Sequence, residues 1–221
     1  MECPKAIATD FDFTIARHIG GFEYLYELFT ARGVPRDMVV ELAGKLSDER
    51  GFSIERLIPI VKRELGMRRF WQRLPREGSI VKEFYAATEK HVAAYPGVID
   101  CMRAWRALQI PVHIVTRGEP SYQKFKVDNI VKPPYDFIHV IEPPARKSDA
   151  LRAMIARYGT PILFVDDRRR FELDEVRDRF SEVEVITVHI LRPDDPYGDG
   201  PSRYPHHEIH SFEEVLPKFF K

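Results

Sequence analysis

Cysteine is nearly absent from this 221-residue chain: Cys3 and Cys101 are the only two. Two thiols cannot build a disulfide framework, so an apolar core has to hold the fold together, and a reducing, cytoplasmic compartment is expected. An excess of charge of one sign is also missing. Lys plus Arg and Asp plus Glu each number 34, for a formal net charge of +0. That balance supplies no whole-protein field to draw in nucleic acid or an anionic membrane, although it leaves room for a local basic pocket. No run approaches the ~18 apolar residues of a membrane span. The N-terminus has no basic segment leading into a long apolar one, so no signal peptide is expected. Internal repeats and long low-complexity stretches are lacking too. What is present is 44% apolar and 31% charged residues, as in an ordinary globular protein. The length suits one sizeable core plus a small accessory domain.

Short apolar runs rich in Val and Ile recur at Lys5 to Asp10, Pro111 to Thr116, Phe137 to Ile141, Pro161 to Asp166 and Val183 to Leu191. Runs of this kind are expected of strands covered on both faces. Helical spacing lies between them, at Val98 to Leu108, Pro120 to Val127, Ser148 to Tyr158, Phe171 to Phe180 and Ser211 to Phe219. Strands alternating with helices predict an α/β fold with a doubly wound, Rossmann-like parallel sheet. The stretch from about Gly20 to Tyr95 differs. It has no convincing strand and reads as helices at Phe22 to Arg32, Arg36 to Ser47, Ile54 to Glu64 and Val81 to Ala94. The expected organisation is an α/β core of residues 1–19 and 96–221 with an all-helical insertion at 20–95. An insertion after the first strand sits above the carboxyl ends of the strands, where open α/β sheets bind ligands.

The chemistry-bearing residues cluster at those ends. Asp10 and Asp12 leave the first strand separated by one residue, and alternation points their side chains to different sides. One can attack a substrate and touch a metal while the other handles protons; aspartate is a known covalent nucleophile for phosphoryl groups. Solvated carboxylates at a strand end are the plainer alternative. Asp166 and Asp167 end another buried run. Adjacent acids there repel unless a cation or basic group offsets them, and Mg²⁺ takes one or two carboxylates together with waters or phosphate oxygens. The following Arg168, Arg169 and Arg170 offer a surface ion-pair cluster instead. Thr116, followed by Arg117 and Gly118, places a hydroxyl and backbone N–H groups where a phosphate oxygen could sit. Lys147, just before the candidate N-cap Ser148, could offset nearby carboxylates and bind phosphate as a point charge. Lys124 and Lys132 compete for that role.

Taken together, Asp10-x-Asp12-x-Thr14, Thr116, Lys147 and Asp166-Asp167 resemble, in order and placement, the four-motif signature of the haloacid dehalogenase-like superfamily. Tyr95-Pro96-Gly97-Val98 is similar to the segment by which many members re-enter the core after a cap. The resemblance spans the chain and implies a Mg²⁺-dependent phosphatase acting on a small phosphorylated metabolite. It implies Asp10 as the nucleophile that forms an aspartyl-phosphate, and Asp12 as the group that protonates the leaving group and then activates water. Thr116, Arg117 and Lys147 would hold the phosphoryl oxygens, and Asp10, Asp12, Asp166 and Asp167 the metal. Many relatives carry glycine where this chain has Phe13, which could narrow the entrance or contact the cap. Dehalogenases of the superfamily typically lack the second aspartate. A phosphomutase using the same site and a catalytically weak phospho-ligand-binding protein are the alternatives; no nucleic-acid or membrane partner is expected, and the oligomeric state is undetermined.

Other features weigh less. The run His206-His207-Glu208-Ile209-His210 could be read as a metal cluster, but it borders an expected short strand and C-terminal helix. The loop Arg192 to Tyr204 should leave Asp194, Asp195 and Asp199 in solvent. Trp71, with Arg68, Arg69 and Arg73 around it, reads as packing between cap and core. Arg17 and His18, close behind the first motif, are the candidates for further substrate contacts.

Overall fold

The computed structural model describes residues 2–65, 77–194 and 200–220. In chain order it runs β1 (Ala6–Thr9), β2 (Ala16–His18), α1 (Glu23–Thr30), α2 (Arg36–Arg50), α3 (Ile54–Glu64), α4 (Glu77–His91), β3 (Val92–Ala94), α5 (Val98–Ala107) and β4 (Val112–Arg117). Helix α6 (Pro120–Lys124) continues into a π-helical stretch, Phe125–Val131, and then come β5 (Phe137–Ile141), α7 (Lys147–Tyr158) and β6 (Ile162–Asp166). A π-helical turn at Arg169–Leu173 leads into α8 (Asp174–Arg177), followed by β7 (Val185–Ile190), β8 (His207–Ile209) and α9 (Val215–Phe219).

Six strands form one sheet in the order β5-β4-β1-β6-β7-β8, with every neighbouring pair parallel. Successive side chains alternate between its faces. Ile7, Val112, Ile114, Leu163, Val165, Ile186 and Val188 feed one apolar cluster, which Met102, Trp105 and Phe212 cover. Ala6, Ala8, Val115, Ile162, Phe164 and Val185 feed the other, covered by Leu151, Met154 and Val176. Each large aliphatic side chain removed from water in this way contributes roughly 1.5–3 kcal/mol. Burial on both faces explains why these strands read as continuous apolar runs. The chain winds outward from β1 in both directions, so β4 and β6 flank β1 and the order reverses there. A ligand crevice is expected at the carboxyl end of that reversal.

The helices α1 to α4 have an apolar cluster of their own, containing Leu25, Phe29, Val39, Leu57, Val61 and Phe84. In α3, Ile54, Leu57, Ile58 and Val61 are the buried positions, the i, i+3, i+4, i+7 stripe of a helix packed on one side. Ser53 caps this helix by accepting from Arg56 N at 3.3 Å. Tyr122, from α6 of the sheet layer, is also a member of this cluster.

Three local expectations change. The segment before Tyr95 does hold a strand: β3 pairs antiparallel with β2, Arg17 opposite Ala93, as a two-stranded neck where the chain enters and leaves the insertion. Three-residue strands carry too few alternations to be seen in a sequence. Ser148 is not a helix cap; α7 starts at Lys147, and the Ser148 hydroxyl donates to Glu175 Oε1 at 2.7 Å. Gly118 N–H is not free for a ligand, because it donates to Ile141 O at 3.1 Å. No helix among the described residues is long and apolar enough to cross a membrane.

Candidate active site

The carboxyl ends of β1, β4 and β6 meet, and the chemistry-bearing side chains converge there. Asp10 follows β1 and is 5% exposed; Asp166, the last residue of β6, and Asp167 are fully buried. Lys147 reaches in from the first turn of α7. Its Nζ lies 2.7 Å from Asp10 Oδ1 and 2.7 Å from Asp166 Oδ2. Asp166 Oδ1 accepts from Arg168 N at 2.8 Å. Thr14 Oγ1 donates to Asp167 Oδ1 at 3.1 Å, tying the loop after β1 to the loop after β6. Thr116 is buried near the end of β4, with its hydroxyl 3.4 Å from Gln123 Oε1. Arg117 Nε stands 3.4 Å from Glu172 Oε1, so its guanidinium turns towards a buried acid. The competing lysines Lys124 and Lys132 are exposed.

Asp12 stands on the other side of the β1 end with a separate set of partners. Lys126 Nζ donates to both of its oxygens at 2.5 Å. Gln123 Nε2 donates to Oδ2 at 3.2 Å, and His18 Nε2 lies 3.0 Å from Oδ1. Behind His18, Tyr24 OH is 3.3 Å from Nδ1 and Tyr122 OH is 3.4 Å from Tyr24 OH, so the network runs from the second acid into the insertion. Phe13 is buried in a left-handed conformation, φ 56°. Its ring stacks on His18 at 5.2 Å and meets Phe22 edge-on at 5.9 Å, which places it against the neck and the start of α1.

Burial opposes ionisation of Asp10 and Asp166 and pushes both above the usual carboxylate range, although Lys147 acts against it; Asp12 adds to the rise of Asp10, and Asp10 to that of Asp166. Burial also opposes the Lys147 ammonium, but Asp10, Asp166 and Glu172 outweigh it and hold its pKa above the ordinary lysine value. Burial acts on Asp12 too, yet Lys126 and His18 overcome it and keep Asp12 well below the usual range. His18 is depressed by burial, which its bond to Asp12 only partly offsets.

The donor set suits a hard divalent cation. Asp10, Asp166 and Asp167 each offer an oxygen, all within 4.8 Å of one another, and oxygen ligands are what Mg²⁺ takes. Five carboxylates gather here, Asp10, Asp12, Asp166, Asp167 and Glu172, beside the cations Lys126, Lys147, Arg117 and Arg192. Among the described residues this is the one cluster of acids and histidines with such spacing.

The remaining sequence candidates lie elsewhere. His206 is used structurally: Nδ1 meets Thr187 Oγ1 at 2.8 Å, and Nε2 meets Ser202 Oγ at 3.0 Å and Asp174 Oδ1 at 3.1 Å. Asp194, although exposed, accepts from Tyr95 OH at 2.5 Å. Arg17 is half-buried on β2, with Nε lacking a hydrogen-bond partner among the described residues. Arg68, Arg69, Trp71, Arg73, Asp195 and Asp199 lie outside the described residues. Sequence reasoning missed Lys126, Gln123 and Glu172. A signal existed for the first two: Tyr122, Gln123 and Lys126 fall at i, i+1 and i+4, one helical face directly after the second motif.

No family model matches the sequence. One curated protein, the enolase-phosphatase E1 of Enterobacter sp. (strain 638), is 23% identical over 150 residues, 64% of this chain and 61% of that protein. The match thus spans less than two thirds of the relative. Among solved structures, an L-2-haloacid dehalogenase superposes with a TM-score of 0.63 at 16% identity, covering 100% of both chains. A predicted phosphoglycolate phosphatase of Haemophilus somnus superposes with a TM-score of 0.60 at 14% identity, covering 98% of both. At these identities the likeness is one of fold: the chain has the architecture of haloacid dehalogenase-like hydrolases.

Proposed function

We propose that this chain, built on the haloacid dehalogenase-like fold, is a Mg²⁺-dependent phosphatase that hydrolyses the phosphate monoester of a small metabolite through an aspartyl-phosphate on Asp10. The observation that carries the reading is Lys147, buried and 2.7 Å from both Asp10 and Asp166, beside a separately held second acid, Asp12. Residues 20–95 would act as a cap over the core of 1–19 and 96–221, excluding bulk water when closed.

Phosphoryl transfer needs alignment and charge neutralisation more than elaborate covalent chemistry. In the first half-reaction an Asp10 oxygen attacks phosphorus. The bond from phosphorus to the leaving oxygen breaks, and its electron pair departs with the leaving group, which takes a proton from solvent. Thr116 Oγ1 and Lys147 Nζ would hold the non-bridging oxygens, with Arg117 flanking them and neutralising Glu172. In the second half-reaction water attacks the phosphorus of the aspartyl-phosphate as the bond from phosphorus to Asp10 breaks; the water's proton passes to Asp12 and from there to solvent, and the Asp10 carboxylate is regenerated as inorganic phosphate leaves. We assign Asp12 to this second step because Lys126, Gln123 and His18 fix the direction of its carboxylate. Mg²⁺ bound by the Asp10, Asp166 and Asp167 carboxylates and the Asp12 carbonyl would neutralise charge between an anionic nucleophile and an anionic ester.

The second acid also supports phosphoryl transfer over carbon–halogen cleavage, since dehalogenases of this fold resemble the chain but typically lack it. The test is phosphate release from a panel of phosphate esters with Mg²⁺ and with chelator, alongside Asp10→Asn. Mg²⁺-dependent release lost in Asp10→Asn supports the reading. Absence of release from pH 5 to 9 contradicts it, and transfer to a second sugar hydroxyl would assign a mutase.

A further inference from the structure

Two buried lysines divide the acids of the site. Lys147 takes Asp10 and Asp166, whereas Lys126 takes Asp12 alone among the described residues. Lys126 is 1% exposed. Its ammonium lies over the Tyr122 ring at 4.7 Å and the Phe11 ring at 5.5 Å, so it is packed as well as paired. It comes from the π-helical stretch that continues α6, a widened turn of the kind that gathers at functional sites.

A buried ion pair is weak evidence for stability, because well-packed apolar residues often serve as well. It does fix geometry. The two-point contact removes the freedom of the Asp12 carboxylate about its last torsion, and Gln123 and His18 hold one oxygen each. A group that must aim a water at phosphorus needs such restraint, since small misplacements of reacting groups slow a step by orders of magnitude.

We propose that Lys126 is the positioning residue for Asp12 and serves the second half-reaction, in which water cleaves the aspartyl-phosphate. This rests on the phosphatase reading above. Lys126 touches neither substrate nor metal in this scheme and acts through the Asp12 carboxylate. Attack by Asp10 on an ester with a good leaving group proceeds without it; release of the phosphoryl group from Asp10 does not.

The test is rapid-mixing kinetics with 4-nitrophenyl phosphate and Mg²⁺ on wild type, Lys126→Met, Lys126→Gln, Asp12→Asn and the double variant Lys126→Met/Asp12→Asn. Lys126→Met is expected to give a burst of nitrophenol near one equivalent per protein, then a steady rate down by about 10²-fold, the lower end of a general-base contribution. KM should not rise, and phosphorylated Asp10 should accumulate. Lys126→Gln, which keeps a donor, should recover part of the rate. In the Asp12→Asn background the Lys126 change should have no further effect, because two residues in one network are not additive. The double variant removes both charges and covers the case in which Lys126→Met fails to fold. An equal loss of both phases without a burst, or additive losses in the double variant, would overturn the inference while leaving the phosphatase reading standing. No nitrophenol release and no Asp10 phosphorylation in wild type would overturn both.

Discussion

Replacing Lys147 with methionine tests the charge arrangement directly. Methionine keeps the length and packing of the side chain but removes the ammonium lying 2.7 Å from one oxygen of Asp10 and of Asp166. Both acids are buried, and Asp167, Glu172 and Asp12 stand nearby. Removing one partner of a buried pair leaves an uncompensated charge and destabilises by about 3–5 kcal/mol. In a chain of this size each kcal/mol shifts the melting temperature by roughly 2–4 °C, so Lys147→Met should melt at least about 6 °C below wild type at neutral pH without divalent ions. The cheapest escape is for Asp10 or Asp166 to take up a proton, since burial already raises both. A carboxyl whose folded pKa lies above its unfolded value stabilises below the unfolded pKa and loses that contribution as pH rises through the folded one. The gap between variant and wild type should therefore widen from pH 6 to pH 9. Saturating Mg²⁺ at a hundred times its Kd adds about 2.7 kcal/mol to a protein that binds it, and should raise the melting temperatures of wild type and variant alike. Scanning calorimetry at two pH values with and without Mg²⁺ measures all three effects. A Lys147→Met melt within 1 °C of wild type under metal-free conditions would refute the buried pairing.

Further outcomes follow from other parts of the structure. Asp12 is paired with Lys126 and gives no proton to the leaving group in this scheme, so aryl and enol phosphates should have higher kcat/KM than alkyl phosphates; equal rates across an aryl-to-alkyl series would contradict this. His113, buried against His139 and Tyr158, is depressed by burial and by His139 to about 4. A histidine lowered in the folded state loses stability as pH falls from its unfolded value near 6.5 towards 4, by on the order of 2 kcal/mol; urea melts should show this loss, and His113→Gln should flatten it. Gly51 sits at φ 74°, and a Cβ there would lie 2.8 Å from Gly118 Cα, next to the loop carrying Thr116. Gly51→Ala should therefore destabilise by about 1–3 kcal/mol and raise KM; unchanged values for both would show that the insertion does not rest on that loop.

Much of the core was legible because burial on both faces writes itself into a strand. Runs such as Ile162-Leu163-Phe164-Val165 need no context to be found, and the acids that end them mark the carboxyl ends of the sheet. The neck was not legible: β2 and β3 are three residues each and owe their existence to pairing across the whole insertion. Lys147 could be picked out beside Lys124 and Lys132 only through a four-motif pattern, whereas in three dimensions its two carboxylate partners single it out. Lys126 was missed because a lysine between Phe125 and Val127 reads as a solvated helix position, and its i+4 spacing from Tyr122 was the signal that could have placed it on the inner face. Glu172 was hidden in the π-helical turn Arg169–Leu173, which side-chain spacing does not announce. The first-motif phenylalanine, expected at the entrance or against the cap, is buried against His18 and Phe22.

The central claim is that Asp10 carries the phosphoryl group. Acid-quenching the protein during turnover of a phosphate ester in Mg²⁺, then mapping the modified peptide by mass spectrometry, tests it most directly. The account predicts a phosphoryl group on Asp10 in wild type, lost together with turnover in Asp10→Asn. Turnover that survives Asp10→Asn, or a phosphoryl group on another residue, would contradict it.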